Sequence, residues 1–217
     1  MNPLLSKEVR LVAPPITYLF VGFSAMALLP GYPVLCSAFF VSLGIFHAFR
    51  SAREANDLVF SALLPIAKRD VVKGKLQFVL LIELISFAAM AVLVLVRMTV
   101  LADAAVYRHN ALMNANPFFL GAVLLLFGLF NALFVGRLFR DFYKMGRCYV
   151  VYIAAASILI VVAETLHHLP GLGVLNAFGF DYLLLQVALL VAGAVLFALM
   201  TFLSYKRACR DFEMADL

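Results

Sequence analysis

Few residues in this sequence have chemistry available to them. Glu164, His167 and His168 form an E-x-x-H-H string. At helical spacing Glu164 and His168 are i, i+4 neighbours, and a carboxylate one turn from an imidazole can share a metal ion. A zinc site needs three or four convergent ligands, and neither a third ligand nor the H-E-x-x-H order is present nearby. The plainer reading is a set of polar residues closing an apolar run before Pro170. Glu83 lies inside another apolar run, where a carboxylate has to face protein or water. It belongs either to a pathway or coupling ion pair, or to a structural partnership with a nearby Lys or Arg. His47 and Asn131 are single polar groups in apolar runs, the pattern of inter-helix hydrogen bonds. Lys73-Gly74-Lys75 lacks the upstream Gly and following Ser/Thr of a phosphate-cradling loop, so no nucleotide site is expected on this chain. Cys36, Cys148 and Cys209 have no C-x-x-C or Cys/His spacing, which argues against a disulfide framework or metal centre.

The elements that must hold these residues follow from composition. The 217 residues are 65% hydrophobic and 13% charged, with a mean hydropathy of +1.05. Soluble domains carry about 45–50% apolar and about 25% charged residues, so this chain cannot cover a water-facing surface. An ordinary soluble enzyme, a disordered tail and a nucleic-acid-binding domain are excluded. About 20 apolar residues cross about 30 Å of hydrocarbon, and six runs qualify: 12–29, 33–49, 77–96, 118–136, 149–166 and 182–204. The first reads as an uncleaved anchor, because apolar segments continue after it. If the N-terminus is cytoplasmic, 15 of the 17 Lys and Arg residues fall on the cytoplasmic side and only Arg97 and Arg108 lie outside. The expectation is an all-α, polytopic membrane protein: one domain over 1–217, six spans, both termini inside.

Two segments stand out from this frame. In residues 1–11, Leu5, Val9 and Val12 recur at i, i+4, i+7 with Leu4 and Leu11 beside them, while Lys7, Glu8 and Arg10 take the other side. That pattern suits a helix lying in the membrane interface ahead of the first span. The loop 50–76 opens with Arg53-Glu54-Ala55-Asn56-Asp57, where Asn56 or Asp57 is placed to cap a helix. The run from Leu58 to Leu64 is apolar but too short to span, and Pro65 ends it. A short, partly apolar helix held at a membrane surface suits docking of a partner; the plainer alternative is a packing or re-entrant segment.

The string from Asn56-Asp57 through Ser61-Ala62-Leu63-Leu64-Pro65-Ile66-Ala67-Lys68-Arg69-Asp70-Val71-Val72-Lys73-Gly74-Lys75 resembles the segment between the second and third spans of bacterial type-2 ABC transporter permeases. The N-terminal stretch is similar to that family's elbow helix. Leu76 stands where an aromatic residue is common. The resemblance implies a permease subunit of an exporter in the bacterial cytoplasmic membrane. It would pair with a second permease, a copy or a paralogue, and with two ATPase subunits that bind ATP and Mg, while this chain holds no cofactor. Glu54, Asn56, Asp57, Phe60, Leu63, Leu64, Pro65, Lys68 and Arg69 would form the ATPase-coupling element. His47, Glu83, Asn131 and Glu164 would be the polar groups of the pathway. The loop 167–181, with Pro170, Gly171, Gly173 and Gly179, has the length for the re-entrant helices that such permeases place there. The apolar interior suits a lipid, an amphipathic peptide or a hydrophobic drug. The other readings are a metal-dependent membrane enzyme using Glu164, His167 and His168, and a sensor or assembly subunit that recruits a cytosolic partner.

Overall fold

Prolines and capping residues divide the apolar chain into helices. The computed structural model describes residues 3–140 and 142–215, and the described residues contain helices and turns but no strand. Helix α1 (Pro3–Val12) and α2 (Pro15–Leu28) meet at a bend of 97°. Ala13, which precedes Pro14, is extended there, as a residue before proline prefers. The second half of α1 (Glu8–Val12) widens to π pitch, and the second half of α2 (Gly22–Leu28) tightens to 3-10 pitch. Then come α3 (Cys36–Glu54), α4 (Asp57–Leu63), α5 (Lys68–Thr99) and the single turn α6 (Ala105–Arg108). Three long helices complete the order: α7 (Pro117–Leu138), α8 (Met145–Leu166) and α9 (Leu183–Glu213). Asn116 starts α7 as its cap, its side chain accepting from the Phe119 amide at 3.1 Å, with Pro117 in the first turn.

Four of these helices, α5, α7, α8 and α9, are long and apolar enough to cross a membrane, and the bent α1–α2 pair makes a fifth if taken as one span. The second expected span differs most. Its helix starts at Cys36 and runs on to Glu54, so His47, Arg50 and Arg53 lower its hydropathy. The third run proves to be the upper part of a 32-residue helix that begins at Lys68 rather than 77. The first expected span, 12–29, is α2 from Pro15 to Leu28, with the bend just before it. The remaining runs agree within a few residues, except that α9 continues nine residues past the expected end at 204, through a charged stretch.

Helix α7 forms the centre. Its most apolar stretch is 72% buried, against 11% for that of α9. The two pack backbone to backbone at Gly121 and Gly193, where a Cβ on Gly193 would sit 2.5 Å from the Gly121 carbonyl oxygen. On another side of α7, Phe46, Phe130, Phe134, Tyr149 and Tyr152 form a ring cluster joining α3, α7 and α8, with Phe46 and Tyr149 stacked at 4.0 Å. Val150, Ile158 and Val161 of α8 and Leu184, Val191 and Val195 of α9 are exposed. Apolar surface of that extent along helices of membrane-crossing length is surface for lipid. The chain is a multi-pass membrane protein. One end of the bundle gathers α1, α4, the start of α5 and the end of α9 and is called the basic end; the far end carries α6 and the turns that flank α7.

Candidate functional site

At the basic end, α4 is a two-turn helix bolted down on one face and open on the other. Its entry is strained. Asn56 takes the left-handed conformation (φ 51°) and its side chain makes no capping bond, so capping by Asn56 or Asp57 is not what starts the helix. The Asp57 carboxylate is used elsewhere. It accepts from Lys75 Nζ at 2.7 Å and from Lys7 Nζ at 2.7 Å. Lys7 also donates to Ser61 Oγ at 2.7 Å, and Lys75 reaches both Glu8 oxygens at 3.1 Å. Two ammonium and two carboxylate groups thus form a balanced cluster tying α1, α4 and α5 together. The Lys75 side chain has no solvent exposure, so its charge depends on these partners. Burial pushes the Asp57 carboxyl up, but the Lys75 and Lys7 ammonium groups outweigh it and hold the group below its usual range.

The neighbouring glycine completes the joint. A Cβ on Gly74 would lie 2.9 Å from Leu4 Cβ, so only glycine lets α1 lie this close to α5. This geometry also corrects the expected amphipathic pattern of α1. Glu8 is 4% exposed and faces the cluster, whereas Leu11 is 81% exposed. Leu5, Val9 and Val12 do pack against the core, and Glu8 stands beside them on the wheel while Leu11 lies further round. Met1 and Asn2, the first residues of the expected elbow segment, lie outside the described residues.

The open face of α4 carries Phe60 and Leu63, which are 60% and 81% exposed. Pro65 after them is exposed and Leu64 half-buried. Glu54 pairs with Arg50 at 3.0 Å on the surface of α3. Lys68 and Arg69, at the start of α5, turn to the chain's own C-terminal helix. Lys68 Nζ donates to the Ala215 carbonyl at 2.9 Å, and Arg69 Nε donates to Glu213 at 2.5 Å.

A second polar group lies deep between helices. Glu83 is the sixteenth residue of α5, about 22 Å along it, and is fully buried. The expected structural partner, a Lys or Arg near the surface, is not what it meets. Asn131 Nδ2 donates to Glu83 Oε2 at 3.0 Å and to Thr201 Oγ1 at 3.0 Å, and Ser204 Oγ donates to the Asn131 carbonyl at 2.6 Å. Asn131 opens a π turn in α7 (Asn131–Val135), where its carbonyl accepts both the Gly136 amide and the serine hydroxyl. Glu83 Oε1 and Asn131 Oδ1 are buried without a hydrogen-bond partner. His47 is separate from this group, stacked on Phe20 at 5.9 Å.

Polar groups at the far end work as fasteners. Glu164 Oε2 accepts from the Met113 amide at 2.8 Å, and His167 Nε2 lies 3.1 Å from the Ala111 carbonyl. The His167 and His168 rings sit 4.0 Å apart. Among the described residues no three His, Cys, Asp or Glu side chains converge as a metal site would require. Asn116 donates to the Leu175 carbonyl at 2.8 Å, and Gln186 to that of Val174 at 2.9 Å. Arg97 donates to Asn114 at 2.5 Å and lies over the Tyr107 ring at 3.4 Å. Between 167 and 181 the helical content is one 3-10 turn, Gly173–Asn176.

Sequence reasoning missed Lys7, Glu8 and Lys75 as one unit, and the pairing of Glu83 with Asn131. A signal existed for the first: opposite charges in two segments both expected at one membrane surface. For the second the signal was partial: both residues stand out as polar groups in apolar runs, but nothing local pairs the one with the other. No curated protein and no solved structure matches the chain. A family model described as ABC-2 family transporter protein matches residues 4–210, from α1 into α9, and the chain belongs to that family of membrane transport permeases.

Proposed function

We propose that this chain is the transmembrane permease subunit of an ATP-driven exporter, with α4 as the element through which an ATPase moves it. The observation that supports this reading is the contrast between the two faces of α4. One face is joined through Asp57 and Ser61 to α1 and α5, while Phe60 and Leu63 are left to water. Exposed apolar side chains on a helix fixed from behind make a docking knob that transmits displacement instead of absorbing it. ABC-2 permeases generally work with ABC ATPase subunits. ATP and Mg would be bound by two such subunits, and a second permease, a copy or a paralogue, completes the assembly. Push on α4 passes through Lys75 into α5 and through Lys7 into α1, re-aiming the helices between alternating openings. Glu54, Asn56, Leu64 and Pro65 flank the knob; Lys68 and Arg69 brace α5 against the C-terminal helix.

In this reading the bent α1–α2 pair is an elbow followed by the first span, α3 is the second, and the whole makes six. The basic end, with both termini, is cytoplasmic by the positive-inside rule, and the membrane is the bacterial cytoplasmic membrane. The cargo is hydrophobic or amphipathic. Glu83, Asn131 and Thr201 provide the polar contact between α5, α7 and α9 that re-aiming must preserve or exchange.

The test is co-purification of the full chain with the ABC ATPase encoded beside it. The ATPase is expected to accompany the wild type and the far-end control Val106→Asp, and to be lost from Phe60→Asp/Leu63→Asp. Retention by the double variant would refute α4 as the docking element. Absence of any associated ATPase would refute the exporter reading. A metal-dependent enzyme is the weaker reading, because among the described residues no third ligand joins Glu164 and the two histidines. A non-transporting assembly subunit would keep the docking result but show no ATP-dependent flux in vesicles.

A further inference from the structure

Helices α7, α8 and α9 and the connection between the first two flank an open pocket of about 440 Å³ at the basic end, lined by Arg137, Arg140, Lys144, Arg147, Cys148 and Arg207. Four of its six lining residues are arginines. Topology alone asks for basic residues at this membrane surface, but it does not ask that Arg137 of α7, Arg140 of the turn after it, Arg147 of α8 and Arg207 of α9 converge on one cavity. Two further observations point inward. Arg137 Nε and Arg207 Nε are buried without a hydrogen-bond partner, the condition a bound anion relieves. The only carboxylate described near Arg207 is Asp211, at 3.7 Å and shared with Arg210 at the same distance.

The same three helices form a second hollow further along, lined by Gly121, Leu125, Leu159, Ala163, Gly193 and Leu196 among others, and almost wholly apolar. Its near edge at Leu125, Leu159 and Leu196 lies 11 to 12 residues from Arg137, Arg147 and Arg207, roughly 16–18 Å along the helices. One leaflet of a bilayer offers about 15 Å of hydrocarbon below its headgroups. A phosphate held by the arginines therefore places the chain ends of its lipid at the near edge of the apolar hollow. Exposed Leu199, Phe202 and Leu203 on α9 lie between the two.

We infer that this trio of helices is a binding site for an anionic phospholipid, its phosphate seated among Arg137, Arg140, Arg147 and Arg207 and its chains lying along α7 and α9. Arginine forks bind phosphate oxygens in pairs, and basic pockets between spanning helices select acidic headgroups. This inference requires neither an ATPase partner nor a particular cargo, and it stands or falls apart from the exporter reading.

The experiment uses the full chain purified in neutral detergent. Bound lipid is counted by native mass spectrometry after exchange against dioleoylphosphatidylglycerol or dioleoylphosphatidylcholine, with thermal unfolding followed in parallel. The two lipids share chains and differ in net charge; glycerol 3-phosphate supplies the charge without chains. The expected result is about a tenfold preference for the anionic lipid. That preference should collapse in Arg140→Gln/Arg147→Gln, both exposed positions, and persist in the charge-matched control Arg10→Gln/Lys73→Gln. Unfolding of the variant in phosphatidylcholine at the wild-type temperature shows that the fold is intact; should it be lowered, the single variants Arg140→Lys and Arg147→Lys replace it, with a partial loss expected. Equal retention of both lipids by the wild type overturns the inference, as does equal loss in variant and control. Stabilisation by glycerol 3-phosphate as strong as by the lipid reassigns the pocket to a soluble phosphate and overturns the lipid assignment.

Discussion

The two ends of the bundle are fastened by different chemistry. At the basic end, Lys7, Glu8, Asp57 and Lys75 join three helices by ion pairs, with Lys75 sealed from solvent. At the far end, the fasteners are mostly neutral amides: Asn114, Asn116, Asn176 and Gln186 bond backbone groups of the turns around α7. A buried ion pair is strong only while every partner is in place, because each charge left alone keeps its desolvation cost. Amide bonds to backbone are separately small and can be lost one at a time. The comparison teaches that the basic end is built to move as one piece. The far end can rearrange by steps.

Lys75→Met tests that contrast most severely. It leaves Asp57 and Glu8 sharing Lys7 alone, and should cost about 3–5 kcal/mol in unfolding of the purified chain in detergent. Lys75→Met/Asp57→Asn should cost less than the sum of the two single changes; strict additivity would mean that the cluster is not a unit. Acid should act in the same direction. The Asp57 carboxyl is held below its ordinary range in the folded chain. Its contribution is therefore complete above the ordinary carboxylate range and fades as pH falls through the depressed value. The stability gap between wild type and Asp57→Asn should close in acid; a gap unchanged down to pH ~3 would contradict the pairing.

The mid-membrane group should rank next. Asn131→Ala strands Glu83 Oε2 and Thr201 Oγ1 and is expected to cost about 1–3 kcal/mol. Glu83→Gln keeps the acceptor oxygen and adds a donor facing the unpartnered Asn131 Oδ1, so it should cost less. The reverse order would show that the ionisable oxygen itself is needed. At the far end, Asn116→Ala removes the cap of α7 and the tie to Leu175, for about 1 kcal/mol, measured in the same unfolding series.

Legibility in the sequence followed the same division. Apolar runs located α5, α7, α8 and α9, because a helix in hydrocarbon announces itself by composition over about 20 residues. The loop string marked α4, since Pro65 stops a run too short to span. What composition could not carry was pairing at long separation. Glu83 and Thr201 meet at Asn131, the first residue of a π turn, and no local periodicity encodes which helices that residue touches. The start of α5 at Lys68 was hidden for a related reason. Its first turns are charged, and nothing in that stretch reveals that Lys75 finds its counter-ions on two other helices. Glu8 falls beside Leu5 and Val12 on a helical wheel, but its charge argues for the open side until its counter-ion Lys75, 67 residues away, is known.

The weakest expected effect sharpens the comparison from the other side. Arg50 and Glu54 form an i, i+4 pair at the basic end with the same charge types as the cluster, but their side chains are 56% and 58% exposed. Water solvates both partners whether or not they meet, so the pair has little desolvation to recover and is screened by salt. Arg50→Gln should therefore change unfolding by only about 0.3–0.5 kcal/mol, and the difference should vanish at 1 M salt, where the Debye length is about 3 Å. The deficit of Lys75→Met should persist at that salt concentration, because ions do not reach a side chain with no exposure. If salt erased both differences alike, the rigidity of the basic end would have to be assigned to its charge density and not to the burial of Lys75.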